Sequence, residues 1–208
     1  MMDAWTAAGW WGDEMLIDEV LPQFDVTRVD VVVVTGAAED VYRALCDYDM
    51  VDLTRDDRLI GALFAMRGLP DRVLQVLGKR PEPAPVTSMR LADLPSEGEW
   101  VRLGENPGRE FVFGAAGRFW GGPIQWERIT PETFAAFGAP GSARIAANLA
   151  VHPYSRGRVL LTYETRTAAT DNQARRGIHR YWRLLSPFIG IVLRGVLNGV
   201  KQRVEKSG

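Results

Sequence analysis

Tyr163, Glu164 and His179 are the side chains whose types suit acid–base chemistry, with Arg166 beside the carboxylate as its partner. Glu164 and Arg166 stand two residues apart, so on a strand they share a face. Turned to solvent, such a pair contributes about 0–1 kcal/mol. Turned inward, Glu164 becomes a buried carboxylate held by Arg166, suited to orient a polar ligand head or to act as a general base. Register decides between the two, because a slip of one residue exchanges the faces. Leu161 and Tyr163 make the drier face, which sets Glu164 outside, although Ala146, Ala150 and Leu160 share its side. Glu164, Tyr163 and His179 are thus the acid–base candidates, and an enzyme would need at least two of them to reach one cavity.

Other chemistries find little support. Two histidines and the single Cys46 cannot build a Cys- or His-rich zinc site, so no metal and no cofactor are expected. There is no Gly-x-Ser-x-Gly elbow, and Gly141-Ser142 lacks its context. Gly114-Ala115-Ala116-Gly117 has neither the spacing nor the lysine of a phosphate loop. Those glycines read as a bend or bulge in a sheet. Cys46 follows Val41, Tyr42, Ala44 and Leu45 and reads as a small core residue. A lone cysteine forms no intrachain disulfide, so a cytoplasmic protein is expected. With 25 Lys and Arg against 26 Asp and Glu, the net charge of −1 gives no reason to expect nucleic acid.

The N-terminus has Asp3 and no basic, apolar leader pattern. The most apolar stretch, residues 184–200, is interrupted by Ser186, Pro187, Arg194 and Asn198, so no transmembrane segment is expected. Trp5, Trp10 and Trp11 sit among Gly and Ala. With the apolar end of the last helix they could form a self-association or membrane-surface patch. Oligomeric state is left open, a homodimer included.

The elements that must position these groups follow from periodicity. Residues 24–34 read as a strand, crowded with Val and covered on both faces in its later half. Helical spacing covers 37–47, with Glu39 and Asp40 in the first turn. Further helices are expected over 58–66 and near 73–77, then a proline-rich link over 79–85. A hairpin over 100–116 turns at Asn106-Pro107-Gly108. A strand over 124–129 and a short helical turn at Thr130-Pro131-Glu132 follow. The segments 143–151 and 159–167 make a hairpin looped at 152–158. In its expected register Val151 faces Val159, Leu149 faces Leu161, and Ala147 faces Tyr163. One face is dry; the other, with Arg144, Asn148, Thr162, Glu164 and Arg166, is wet. The last element runs from a cap at Asp171 to about Val204, with Ile178, Trp182, Leu185, Ile189, Val192, Val196 and Val200 at spacings of three or four. Pro187 should bend it. Gly195 and Gly199 suit close packing.

Three stretches carry a resemblance. They are residues 16–26 leading into 38–45, Phe111-Val112-Phe113-Gly114-Ala115 on to Gly117-Arg118-Phe119-Trp120, and Thr162-Tyr163-Glu164-Thr165-Arg166-Thr167 on through Tyr181-Trp182-Arg183, Pro187 and Leu193-Arg194. They resemble the START-like (SRPBCC, polyketide cyclase/lipid-transport) superfamily, in its uncharacterised bacterial branch. The resemblance implies an α+β helix-grip domain over 16–208, after an N-terminal extension over 1–15. A curved antiparallel sheet would wrap around the long C-terminal helix, with two or three short helices after the first strand.

It also implies binding or carriage of a small apolar ligand, a lipid, polyketide or similar, between sheet and helix, with no catalysis required. The alternative is a cyclase- or dehydratase-type enzyme without metal in the same cavity; a second is an interaction module. The aromatics Phe119, Trp120, Trp126, Tyr163, Tyr181 and Trp182 are candidate ligand contacts, since large rings beside small residues line pockets. Leu149, Leu161, Leu185 and Ile189 complete the candidate lining. The segment 79–95 and the loop at Gly121-Gly122 are candidate gates.

Overall fold

The structure is a computed structural model that describes residues 14–51, 88 and 90–207. The expected helices over 58–66 and near 73–77, the link over 79–85 and the three N-terminal tryptophans lie outside the described residues. The described elements are α1 (Leu16–Val20), β1 (Val26–Thr35), α2 (Ala38–Cys46), β2 (Trp100–Asn106), β3 (Glu110–Arg118), β4 (Gln125–Trp126), α3 (Pro131–Ala136), β5 (Ala143–Ser155), β6 (Arg158–Ala169) and α4 (Asn172–Ser207). The strands form one open antiparallel sheet in the order β1-β6-β5-β3-β2, with β4 paired to the end of β3. Together with the long terminal helix this is an α+β helix-grip fold.

Period-two alternation separates two sheet faces, and each finds its own cover. The inner face carries Phe111 and Phe113 of β3, Ala147, Leu149 and Val151 of β5, Val159, Leu161 and Tyr163 of β6, and Val34 of β1. It packs against Val41 and Leu45 of α2 and Leu193, Val196, Leu197 and Val200 of α4. By length and composition alone α4 is long and apolar enough to cross a membrane, which the broken hydropathy of 184–200 did not suggest. In the fold its apolar stripe lies on β1, β6 and α2. Asp171 caps it as expected, accepting from the Ala174 N–H at 2.7 Å. The helix continues through Pro187.

The outer face corrects an expectation. It is not wet: Val112, Ala116, Ala146 and Ala168 are covered by Ile17 and Leu21 at α1 and by Phe134 of α3. Arg166 is buried there, 8% exposed. It holds α1 by its C-terminal end, donating to the Ile17 and Leu21 carbonyls at 3.3 Å and pairing with Asp18 at 2.7 Å and Glu164 at 2.6 Å. Glu110, fully buried, holds the other end by accepting from Leu16 N–H at 3.2 Å. Asn106 and Asn148 donate to the same carboxylate at 2.8 and 3.2 Å. A cation at the carbonyl end and an anion at the amide end suit the helix dipole, and they pair the Leu21 carbonyl and the Leu16 N–H; the Ile17 carbonyl also takes the Leu21 N–H at 2.9 Å.

The second hairpin keeps the expected faces in a different register. Val151 pairs with Leu161, Leu149 with Tyr163, and Ala147 with Thr165. The shift is two residues, so every side chain stays on its side. Its cause is the turn: the strands run on to Ser155 and from Arg158, and only Arg156 and Gly157 connect them, with Gly157 at φ 67°. His152 is therefore not a loop residue. It stands on β5, half-buried, 3.2 Å from Thr162 Oγ1, and burial followed by the Arg109 charge lowers its pKa.

Three smaller boundaries also move. The strand expected over 124–129 shrinks to Gln125–Trp126, with an isolated bridge between Gly98 and Ile129. The bulge expected at the β3 glycines falls on β2, between Arg102 and Gly104. Gly114 and Gly117 instead permit close approach. A Cβ on Gly114 would meet the Ile145 carbonyl and Leu103, and one on Gly117, at φ 149°, would meet the backbone of Gln125.

Candidate functional site

The heptad-like stripe of α4 aims one side at the sheet, but its packing changes along the way. Near the start, Ala174 and Ile178 are buried with Val26, Ala143, Phe119 and Trp120. From Leu193 to Val200 the inward residues are 0–2% exposed against Leu149, Val151 and Leu161. Between these closed ends, Tyr181, Trp182, Leu185, Ile189 and Val192 are only half-buried. Leu185 and Ile189 lie seven residues from Ile178 and Val196, so they occupy the same stripe and point the same way. The middle of the helix is thus packed less completely than its ends: Ile189 and Val192 lean on the inner core and Tyr181 and Trp182 on the cluster at the helix start, while Leu185 belongs to neither.

Parts of the sheet's inner side have the same half-buried character. Ile145 and Thr165 on the inner face of β5 and β6 are half-buried, as are Trp100 and Trp126 at the far side. Small Ala147 separates Thr165 from Phe113 across the strands. Aromatic rings continue from there. Phe113 lies 6.4 Å from Tyr163 and 5.9 Å from Trp100, between ring centroids. Trp100 meets Trp126 edge-on at 5.3 Å, and Trp126 stacks on Phe119 at 5.6 Å. Phe119 in turn contacts Trp120 at 4.9 Å and Tyr181 at 5.8 Å.

One side of this region is polar. Asp30, 4% exposed, sits opposite Tyr163 in the β1–β6 ladder, and Arg28 sits opposite Thr165. Asp30 binds the Arg28 guanidinium at 3.0 Å and that of Arg194, from α4, at 2.8 Å. The Arg28 head lies under Gly190, where a Cβ would collide with it. A side chain larger than glycine at 190 would displace the arginine from the carboxylate. Thr165 Oγ1 is buried without a hydrogen-bond partner. Burial raises the Tyr163 hydroxyl pKa, so the group is a neutral donor at physiological pH.

The acid–base candidates do not meet. Tyr163 is on the inner face with Phe113. Glu164 is on the outer face with Arg166, as the dry side of β6 predicts, half-buried rather than in open solvent. His179 is exposed on α4. Nine of the ten candidate lining residues fall into two clusters. Leu149, Leu161 and Tyr163 belong to the closed inner core, with Ile189 against it. Phe119 and Trp120 belong to the cluster at the start of α4, with Trp126, Tyr181 and Trp182 packed on it. Leu185 lies on the stripe between them.

Arg28, Asp30 and Arg194 carry the polar edge, and the sequence reading gave them no role. An acid in the middle of a valine-rich strand, on the same parity as Val32 and Val34, was the available signal. A further group went unassigned: Tyr42 donates to Glu105 at 2.8 Å near Cys46, and burial raises the pKa of both the phenol and the thiol.

No family model matches the chain, and no curated protein matches it in sequence. Among solved structures it is similar to a norcoclaurine synthase point mutant from Thalictrum flavum, with TM-score 0.42 and 10% identity over 88% of this chain and 96% of that one. A conserved protein from Geobacillus kaustophilus gives 0.41 and 12% over 88% and 97%. The di-domain ARO/CYC StfQ of the steffimycin biosynthetic pathway gives 0.34 and 14% over 88% of this chain and 52% of that one.

Proposed function

We propose that this protein binds or carries a small, mainly hydrophobic ligand between the inner face of its sheet and the middle of α4. The observation that carries the reading is the interrupted packing of one helix. Five residues that face the sheet keep accessible surface, while their neighbours before and after keep almost none. An apolar stripe left partly open favours an apolar occupant, because burial contributes roughly 25 cal/mol per Å² removed from water. Trp100, Trp126, Leu185 and Ile189 would make the apolar contacts. Thr165 Oγ1, Arg28 and the Tyr163 hydroxyl would orient a polar end. Such a mixture of apolar wall and few polar groups is usual for ligand sites.

Titration with the neutral probe N-phenyl-1-naphthylamine tests this. Saturable fluorescence enhancement at one probe per chain is expected. Leu185→Trp combined with Ile189→Trp should weaken it at least tenfold while circular dichroism stays native. Absent saturation, or unchanged affinity in the filled variant, would contradict the proposal.

A further inference from the structure

The outward side of α4 carries an independent message. Between Asn172 and Val204 the helix has no acidic residue, in a chain whose net charge is −1. Arg176, Arg180, Arg183, Leu184, Pro187, Ile191 and Arg194 are all exposed. At 3.6 residues per turn they fall within about 100° of arc. Leu184 is 79% exposed and Ile191 40%, seven residues apart on that same strip. Arg180 and Arg183 have no acidic partner among the described residues. A groove of about 540 Å³ opens beside the strip, lined by Arg28, Arg183, Ser186, Pro187, Gly190, Ile191 and Arg194. Asp30 is the carboxylate that Arg28 and Arg194 share, so three guanidinium groups face one acid.

We propose that this face of α4 docks on an anionic lipid bilayer, with Leu184 and Ile191 entering the headgroup boundary and the arginine groove taking a lipid phosphate. Charge complementarity identifies the occupant class. Guanidinium groups bind phosphate in bidentate geometry, and a basic helix with projecting apolar residues suits the interface of a charged membrane. A nucleic acid would use the arginines but leave a 79%-exposed leucine without a role. The groove shares Arg28 with the ligand reading, but the residues tested, Arg180, Arg183 and Leu184, lie on the outward side of α4 and take no part in that site.

Co-sedimentation of the full chain with liposomes tests it. Vesicles of 30% phosphatidylserine in phosphatidylcholine should pellet the protein, and pure phosphatidylcholine should not. The doubly substituted Arg180→Glu, Arg183→Glu chain should lose at least tenfold in affinity, and Leu184→Glu several-fold. Arg128→Glu, an exposed change elsewhere, should bind as wild type. These sites are exposed, and circular dichroism checks each variant. If the double variant misfolds, Arg180→Lys, Arg183→Lys retaining binding, with release of wild type in 0.5 M salt, serves instead. Equal pelleting with neutral vesicles would overturn the proposal, as would full binding by the double variant. So would tight binding to a 20-base-pair DNA duplex without any binding to vesicles.

Discussion

The two halves of α4 follow one hydrophobic rhythm and meet different surroundings. From Leu193 to Val200 the inward side chains are sealed against Leu149, Val151 and Leu161, with α2 beside them. From Tyr181 to Val192 the same stripe stays half-open. Periodicity therefore tells which way a side chain points. It does not tell whether anything is there to receive it. The difference between the halves is the physical basis for reading one as a support and the other as a roof.

The largest contrast should come from truncation. Leu197→Ala, at a site with no exposed surface, is expected to cost about 2–5 kcal/mol, whereas Leu185→Ala should cost less than about 1 kcal/mol. Chemical denaturation of both variants measures the difference; equal losses would break the comparison between sealed and open halves. Next comes the polar edge. Asp30→Asn should destabilise by about 1–2 kcal/mol, below the figure for a fully buried pair because Arg194 is 63% exposed and Arg28 32%. Thermal melts should register about 2–4 °C per kcal/mol at this chain length.

Gly177→Ala sharpens the picture at the sealed start of the helix. Its Cβ would strike the Trp120 indole, which is held by Phe119. The overpacking exceeds the gain in helix propensity and leaves a net loss of about 1 kcal/mol. Gly190→Ala should be milder, because the flexible Arg28 head can move aside, at the expense of its bond to Asp30. The smallest effect is a pH dependence. The His152 pKa is lower in the fold, chiefly through burial, so the folded state binds fewer protons than the unfolded. Its contribution is complete above the unfolded histidine value and is lost as pH falls from there toward the folded value. Melting temperatures between pH 7.5 and 5 should fall less in His152→Gln than in wild type.

Much of this architecture was legible. The valine-rich first strand, the faces of the second hairpin and the inward stripe of α4 all follow from periods of 2 and 3.6. The hairpin register was not, because a two-residue shift preserves both faces and leaves no trace in the pattern; only the turn at Arg156-Gly157 decides it. The covered outer face was also hidden. Arg166 reads as a surface residue until α1 is placed over it, and a five-residue helix has too short a period to announce its partner. The site was legible in composition and not in grouping. Of the six aromatics expected as ligand contacts, Phe119, Trp120 and Tyr163 are buried and Trp126, Tyr181 and Trp182 half-buried, and they divide between two clusters. Asp30 and Arg28 looked like alternation within a strand, and acquire meaning only when Arg194 arrives from 164 residues away.

Xenon offers the most direct test of the half-open roof. Xenon enters dry apolar cavities and scatters strongly, so diffraction from pressurised crystals should show a peak bounded by Ile145, Thr165, Leu185 and Ile189, and none beside Leu197. Crystals in which side chains close that space, with no xenon beneath the middle of α4, would contradict the account.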